Sequence, residues 1–162
     1  MKILGIDPGI GIVGFGLIES DGFSHKMLDA GVIKTKVKDV HERRLKEIYD
    51  ELSGLVSEFN PDVASVEKLF FSQNVTTAMS VSQARGVILL VLEQAGVPIV
   101  EYTPLQIKSS LVGYGKADKA QVQEMVRVLL NLSKRPTPDD CADALGAALT
   151  HAMSSNYRDT SP

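Results

Sequence analysis

Four carboxylates in this chain stand where a freely solvated acid is not the obvious occupant. Asp7 closes the apolar run Ile3-Leu4-Gly5-Ile6 and shares an alternating face with Ile3 and Gly5. Glu67 closes a second short apolar run and follows Val63 and Ser65 on its face. Asp140 and Asp143 lie three residues apart at the start of an alanine-rich stretch, so a helix there carries both on one side. If folding gathered three or four of these acids, their mutual repulsion would raise their pKa values and neutralise some of them. Divalent cations relieve that conflict, and an all-oxygen donor set selects Mg²⁺ or Mn²⁺ over zinc. Two such ions, about 3.5–4 Å apart, can activate a water and stabilise the leaving oxygen in phosphodiester hydrolysis.

Each acid also has a plainer reading. Asp7 before Pro8-Gly9 fits a turn residue, and Glu67 fits a solvated strand end. Asp139 and Asp140 can complement a helix N-terminus, the reading preferred for Asp139. Asp143 sits among Cys141, Ala142, Ala144 and Leu145, where a solvated face is least comfortable.

The elements that must position these acids are legible from periodicity and turn chemistry. Residues 2–7, 11–19 and 24–35 read as three strands, with Asp21-Gly22 marking a turn between the last two. Leu45, Ile48, Tyr49, Leu52, Leu55, Val56 and Phe59 recur at helical spacing, and Asn60-Pro61 ends that helix. A strand over 62–67 follows. The next helix, over 74–94, is apolar around much of its circumference in its second half, which suits deep burial or a subunit interface. Gly96 breaks it, and residues 98–102 form a fifth strand. Asp118 with Gln121 predicts a capping box for a further helix. Thr137-Pro138 predicts a cap and first helical position for the last one, expected to end near His151. The order is βββ-α-β-α-β-α-α, an α/β arrangement with a five-stranded mixed sheet flanked by helices on both faces.

The 162 residues suggest one domain, expected over 1–153, with 154–162 a flexible tail. A net charge of −3 argues mildly against a nucleic-acid partner. The placement of the charges points the other way. Between Glu101 and Arg135, six basic residues face three acidic ones, a net of +3, and two bound divalent cations would bring the chain to +1. One cysteine excludes an internal disulfide and suits packing better than nucleophilic chemistry. Asp7 interrupts the N-terminal apolar residues too early for a secretory signal, and the apolar run 86–92 is too short to span a bilayer. A cytoplasmic protein with no membrane partner is expected.

Two motif matches fail on context. Gly9-Ile10-Gly11-Ile12-Val13-Gly14 spells a dinucleotide fingerprint, but a strand-like alternation follows where a helix is required. The segment from Gly113 to Lys116 lacks the remaining positions of a phosphate-binding loop. His25, His41 and His151 show no ligand spacing.

Taken in order, Ile3-Leu4-Gly5-Ile6-Asp7-Pro8-Gly9, Val66-Glu67-Lys68-Leu69-Phe70, Gln83-Ala84-Arg85-Gly86, the run Gly113 to Lys119, and Asp140-Cys141-Ala142-Asp143-Ala144-Leu145 resemble the motifs of the RuvC crossover-junction endodeoxyribonucleases. The resemblance spans residues 3 to about 151. It implies an RNase H-like fold, a homodimer, and two Mg²⁺ per active site, with Mn²⁺ able to substitute. It implies that Asp7, Glu67, Asp140 and Asp143 are the catalytic metal ligands. It further implies paired symmetric nicks in a DNA four-way (Holliday) junction during recombination and repair, alongside the RuvA–RuvB branch-migration complex. Lys108 and Lys119 match positions that contact DNA, and Lys116 in the same basic loop joins them. Each could equally be a solvated lysine. Phe70, next to Phe71, matches an aromatic that wedges into the junction, with a core or dimer-interface role as its alternative. Two other readings stay open: a YqgF-like nuclease acting on RNA, and an ATP-binding domain of the actin/Hsp70 type.

Overall fold

The computed structural model describes residues 1–69 and 75–159. Five strands form one sheet: β1 (Lys2–Asp7), β2 (Ile12–Ser20), β3 (His25–Lys34), β4 (Val63–Glu67) and β5 (Ile99–Tyr102), in the order β3-β2-β1-β4-β5. β1 pairs antiparallel with β2, and β2 antiparallel with β3. β4 and β5 extend the sheet in parallel from β1. The mixed sheet therefore has a parallel half whose strands all end at one edge. Asp7 and Glu67 are the last residues of two neighbouring strands there.

Alternation along the strands divides the core. Leu4, Ile6, Phe15 and Val66 pack on one face against α1 (His41–Phe59) and α2 (Val75–Gln94). Ile3, Ile18 and Val63 pack on the other face against α3 (Pro104–Val112), α4 (Lys119–Leu129) and α5 (Asp139–Asp159). α1 stops at Asn60, whose φ of 47° is left-handed and whose N–H donates to the Val56 carbonyl, with Pro61 next.

α5 lies directly on the backbone of β1 and β2. A Cβ on Gly5 would stand 1.9 Å from the Ala144 carbonyl oxygen, and one on Gly14 2.1 Å from that of Asp140. Only glycine permits so close an approach. From β4, the buried Ser65 hydroxyl donates to the Ala147 carbonyl at 2.7 Å.

The architecture matches the expected one, with two differences. α3 is an addition to the expected order, although Thr103-Pro104-Leu105-Gln106 carries its signal. The Thr103 hydroxyl accepts from the Gln106 N–H, the Gln106 side chain accepts from the Thr103 N–H, and proline takes the first turn. α5 begins at Asp139, so Pro138 precedes the helix, and the Cys141 N–H donates to the Pro138 carbonyl. The helix also runs past His151 to Asp159. Met153 packs against the core there, and the Ser154 hydroxyl donates to the Thr150 carbonyl. The Gly9–Gly14 match is followed by β2, which disposes of the dinucleotide reading.

Candidate active site

Register brings the two strand-terminal acids together. Gly5 lies beside Ser65 and Ile6 beside Val66, so Asp7 and Glu67 project from adjacent strand ends toward the α5 face. The first turns of α5 hang over the same edge because Gly14, the β2 partner of Asp7, admits the Asp140 backbone. Asp143 is one turn further along.

Asp7, Glu67 and Asp143 line an open cleft of about 210 Å³, together with Pro104, Lys108 and Lys119. Burial, followed by the charges of Glu67, Asp143 and Asp140, pushes the Asp7 carboxyl up to about 8 against the pull of Lys119. Burial and the Asp143 charge push Glu67 up to about 7, with Lys119 and Lys108 opposing. Burial also raises Asp143, against its bond from Lys119 and with help from Asp140 and Asp139. Asp140 does not line the cleft but reaches Asp7 and Asp143 through its charge. Asp7 is thus surrounded by three acids on two elements. Among the described residues, no group of three His, Cys, Asp or Glu side chains is gathered tightly enough to hold one metal ion.

Lys119 is the cation paired directly with the acids of this cleft among the described residues. Its ammonium lies 3.1 Å from Asp143 Oδ2 and 3.3 Å from Asp139 Oδ2, while Gln123 Nε2 donates to Asp139 Oδ1 at 2.9 Å. Burial lowers the Lys119 ammonium, but the bonds to Asp143 and Asp139 outweigh it and leave it raised. The Gln123 bond and Lys119 hold Asp139 below the usual carboxylate range. Asp118 caps α4, with the expected capping box complete, and so fixes Lys119 at the first helical position.

Lys108 lines the cleft from α3, and Lys116 is exposed in the loop between α3 and α4. Phe70 and Phe71 lie outside the described residues. Pro104, Ile107 and Val122 also wall the cleft. Sequence reasoning passes over the first two along with α3, and takes Val122 for core alone. The Thr103–Gln106 capping box is the signal that would have found the first two. Arg85 pairs with Glu101 across α2 and β5, and Gln83 bonds His41 at 2.6 Å, so both act in helix packing. Cys141 is buried, and burial lifts its thiol to about 11, as a packing role requires.

The arrangement has oxygen donors only, excess negative charge in a half-buried cleft, and lysines on the rim. That chemistry suits a hard cation inside and a polyanion across the mouth.

A family model described as crossover junction endodeoxyribonuclease RuvC matches residues 3–151. The crossover junction endodeoxyribonuclease RuvC of Brevibacillus brevis is 53% identical over 153 residues, covering 94% of this chain and 92% of its own. The same enzyme of Alkaliphilus metalliredigens is 52% identical over 158 residues, covering 98% and 96%. Among solved structures, Thermus thermophilus RuvC in complex with Holliday junction substrate superposes with a TM-score of 0.92 at 35% identity, covering 98% of this chain and 96% of the other. The architecture is accordingly RNase H-like, as the motif resemblance implied. No helix among the described residues is long and apolar enough to cross a membrane.

Proposed function

The chain belongs to the RuvC family of crossover junction endodeoxyribonucleases, and we propose that it acts as a homodimer that resolves DNA four-way junctions by paired, symmetric, metal-dependent nicks. The observation that carries this reading is Asp7, half-buried and raised to about 8 by burial and by Glu67, Asp143 and Asp140. Carboxylates crowded at such cost match a site that is completed by cations. Asp7, Glu67, Asp140 and Asp143 would hold two Mg²⁺ ions, with Mn²⁺ able to substitute. When bound, such ions supply an activated water and stabilisation of the leaving oxygen. Cation binding has to draw the acids closer together than they stand here.

The remaining work falls to the chain's own side chains. Lys108 and Lys119 on the cleft, and Lys116 beside it, meet phosphates and set the strand over the acids. Phe70 is assigned to wedging the junction open. Met79 and Leu90 are exposed on α2 about three turns apart, while Ala84, Ile88, Val91 and Leu92 on the same helix are buried. The same exposed face carries Ser82, Gln83 and Gly86 between them, so α2 offers two apolar side chains on a mixed face to a second copy of the chain, and two-fold symmetry would present two identical clefts to two strands of like polarity. The reading includes action in the cytoplasm next to the RuvA–RuvB branch-migration complex.

The test is incubation of the purified protein with a labelled four-way junction, a linear duplex and an RNA hairpin, each with Mg²⁺ and with EDTA. Paired nicks in the junction alone, only with Mg²⁺, are expected. The variant Asp7→Asn should retain junction binding and lose cutting. Equal cutting of the linear duplex would defeat the proposal, and preferential cutting of RNA would favour an RNA-directed nuclease.

A further inference from the structure

Asp139 is not one of the four acids assigned to the cations, and it lines no part of the cleft. It is nonetheless tied to the cleft by two side chains from α4. Lys119 and Gln123 are one helical turn apart on α4, and Asp139 and Asp143 one turn apart on α5. The Lys119 ammonium sits between the two acids, 3.1 Å from Asp143 and 3.3 Å from Asp139. The second oxygen of Asp139 is held by Gln123 at 2.9 Å.

This creates a competition. While Lys119 binds Asp143, it occupies an acid that faces the cleft. A cation entering there requires that acid to be released. Asp139 offers the ammonium a second anion already in contact with it, and Gln123 keeps that anion in place. Releasing Asp143 then needs only a small displacement of the Lys119 side chain, not its ejection into solvent. Without the Asp139 charge, Asp143 would be the sole acid among the described residues in contact with the ammonium and would hold it more firmly.

We propose that Asp139 is a positioning residue that retains Lys119 at the rim of the cleft, freeing Asp143 for a divalent cation while keeping the ammonium available to the DNA backbone. This inference rests on the reading that the cleft acids hold divalent cations.

The test uses the full chain without DNA and reads Mn²⁺ binding by calorimetry. Asp139→Asn should weaken Mn²⁺ binding about three- to fivefold, the worth of a half-exposed ion pair. Asp139→Glu should restore it to within about twofold. The Lys119→Met background separates positioning from simple loss of negative charge. There, Asp139→Asn should have no further effect, because the competitor is gone. An equal weakening in both backgrounds would reduce Asp139 to a general contributor to the field and overturn the proposal. So would unchanged Mn²⁺ affinity in Asp139→Asn, with or without a fall in melting temperature, or failure of Asp139→Glu to restore binding. Absence of Mn²⁺ binding by the unsubstituted protein would instead defeat the cation site itself. In EDTA, Asp139→Asn should also weaken junction binding less than Lys119→Met does.

Discussion

The cost of crowding acids around Asp7 can be measured directly. In the folded protein its carboxyl titrates at about 8, against an ordinary value of 3.8. An acid whose pKa rises on folding destabilises the native state increasingly as pH climbs from the unfolded value to the folded one. In that window the native state holds the proton and the unfolded chain has released it. The penalty is near zero at pH 4 and reaches its maximum near pH 8. At about 1.36 kcal/mol per pH unit, the gap sets a ceiling of roughly 6 kcal/mol. Screening at the open mouth of the cleft cuts this, and about 2–3 kcal/mol is expected. Asp7→Asn preserves shape and abolishes the charge. In EDTA it should therefore be more stable than the unsubstituted protein at pH 8–9, with a melting temperature higher by roughly 5–10 °C. The advantage should shrink to a few tenths of a kcal/mol near pH 4–5. Added Mg²⁺ should stabilise the unsubstituted protein more than the variant. The assay is thermal or urea unfolding across pH 4–9 with and without Mg²⁺. A variant no more stable at pH 9, or an advantage independent of pH, would refute the account of Asp7 as a charge held at a loss.

Two further substitutions probe how α5 is seated. Gly5→Ala places a methyl 1.9 Å from the Ala144 carbonyl oxygen, a backbone atom that cannot rotate away. A loss of about 2–4 kcal/mol in urea unfolding, with junction cutting reduced even where the protein stays folded, is expected. Ser65→Ala deletes the buried hydroxyl that donates to the Ala147 carbonyl at 2.7 Å. It should cost about 1–2 kcal/mol with little effect on Mn²⁺ affinity, and a Mn²⁺ defect larger than the stability defect would argue against a purely structural bond.

The strand-borne half of the site is legible because a strand's period of two puts Ile3, Gly5 and Asp7, or Val63, Ser65 and Glu67, on one face wherever the strands pair. The convergence of Asp140 and Asp143 on that edge is not. It depends on Gly5 and Gly14 lying under α5, contacts between residues more than a hundred positions apart that local spacing cannot encode. α3 is hidden for a different reason. Its nine residues carry only a short apolar stripe, Ile107 and Leu111, so periodicity is weak and the capping box is its one clear mark. Lys108 stands out in the sequence by resemblance alone, and the cleft wall it belongs to comes into view only with the structure. The ammonium bridge from Lys119 to Asp139 and Asp143 links the start of α4 to the first two turns of α5, and their relative placement is a tertiary fact.

The seating of α5 on Gly5 and Gly14 also bears on how the enzyme can vary. The separation between the strand acids and the helix acids is set by the thickness of two main chains, not by the size of any intervening side chain. Core substitutions elsewhere can therefore drain thermal tolerance while the spacing of the acid cluster holds. The converse change, one methyl group under the helix, acts like a shim beneath an optical mount: it leaves every acid in the sequence and misaligns them all at once.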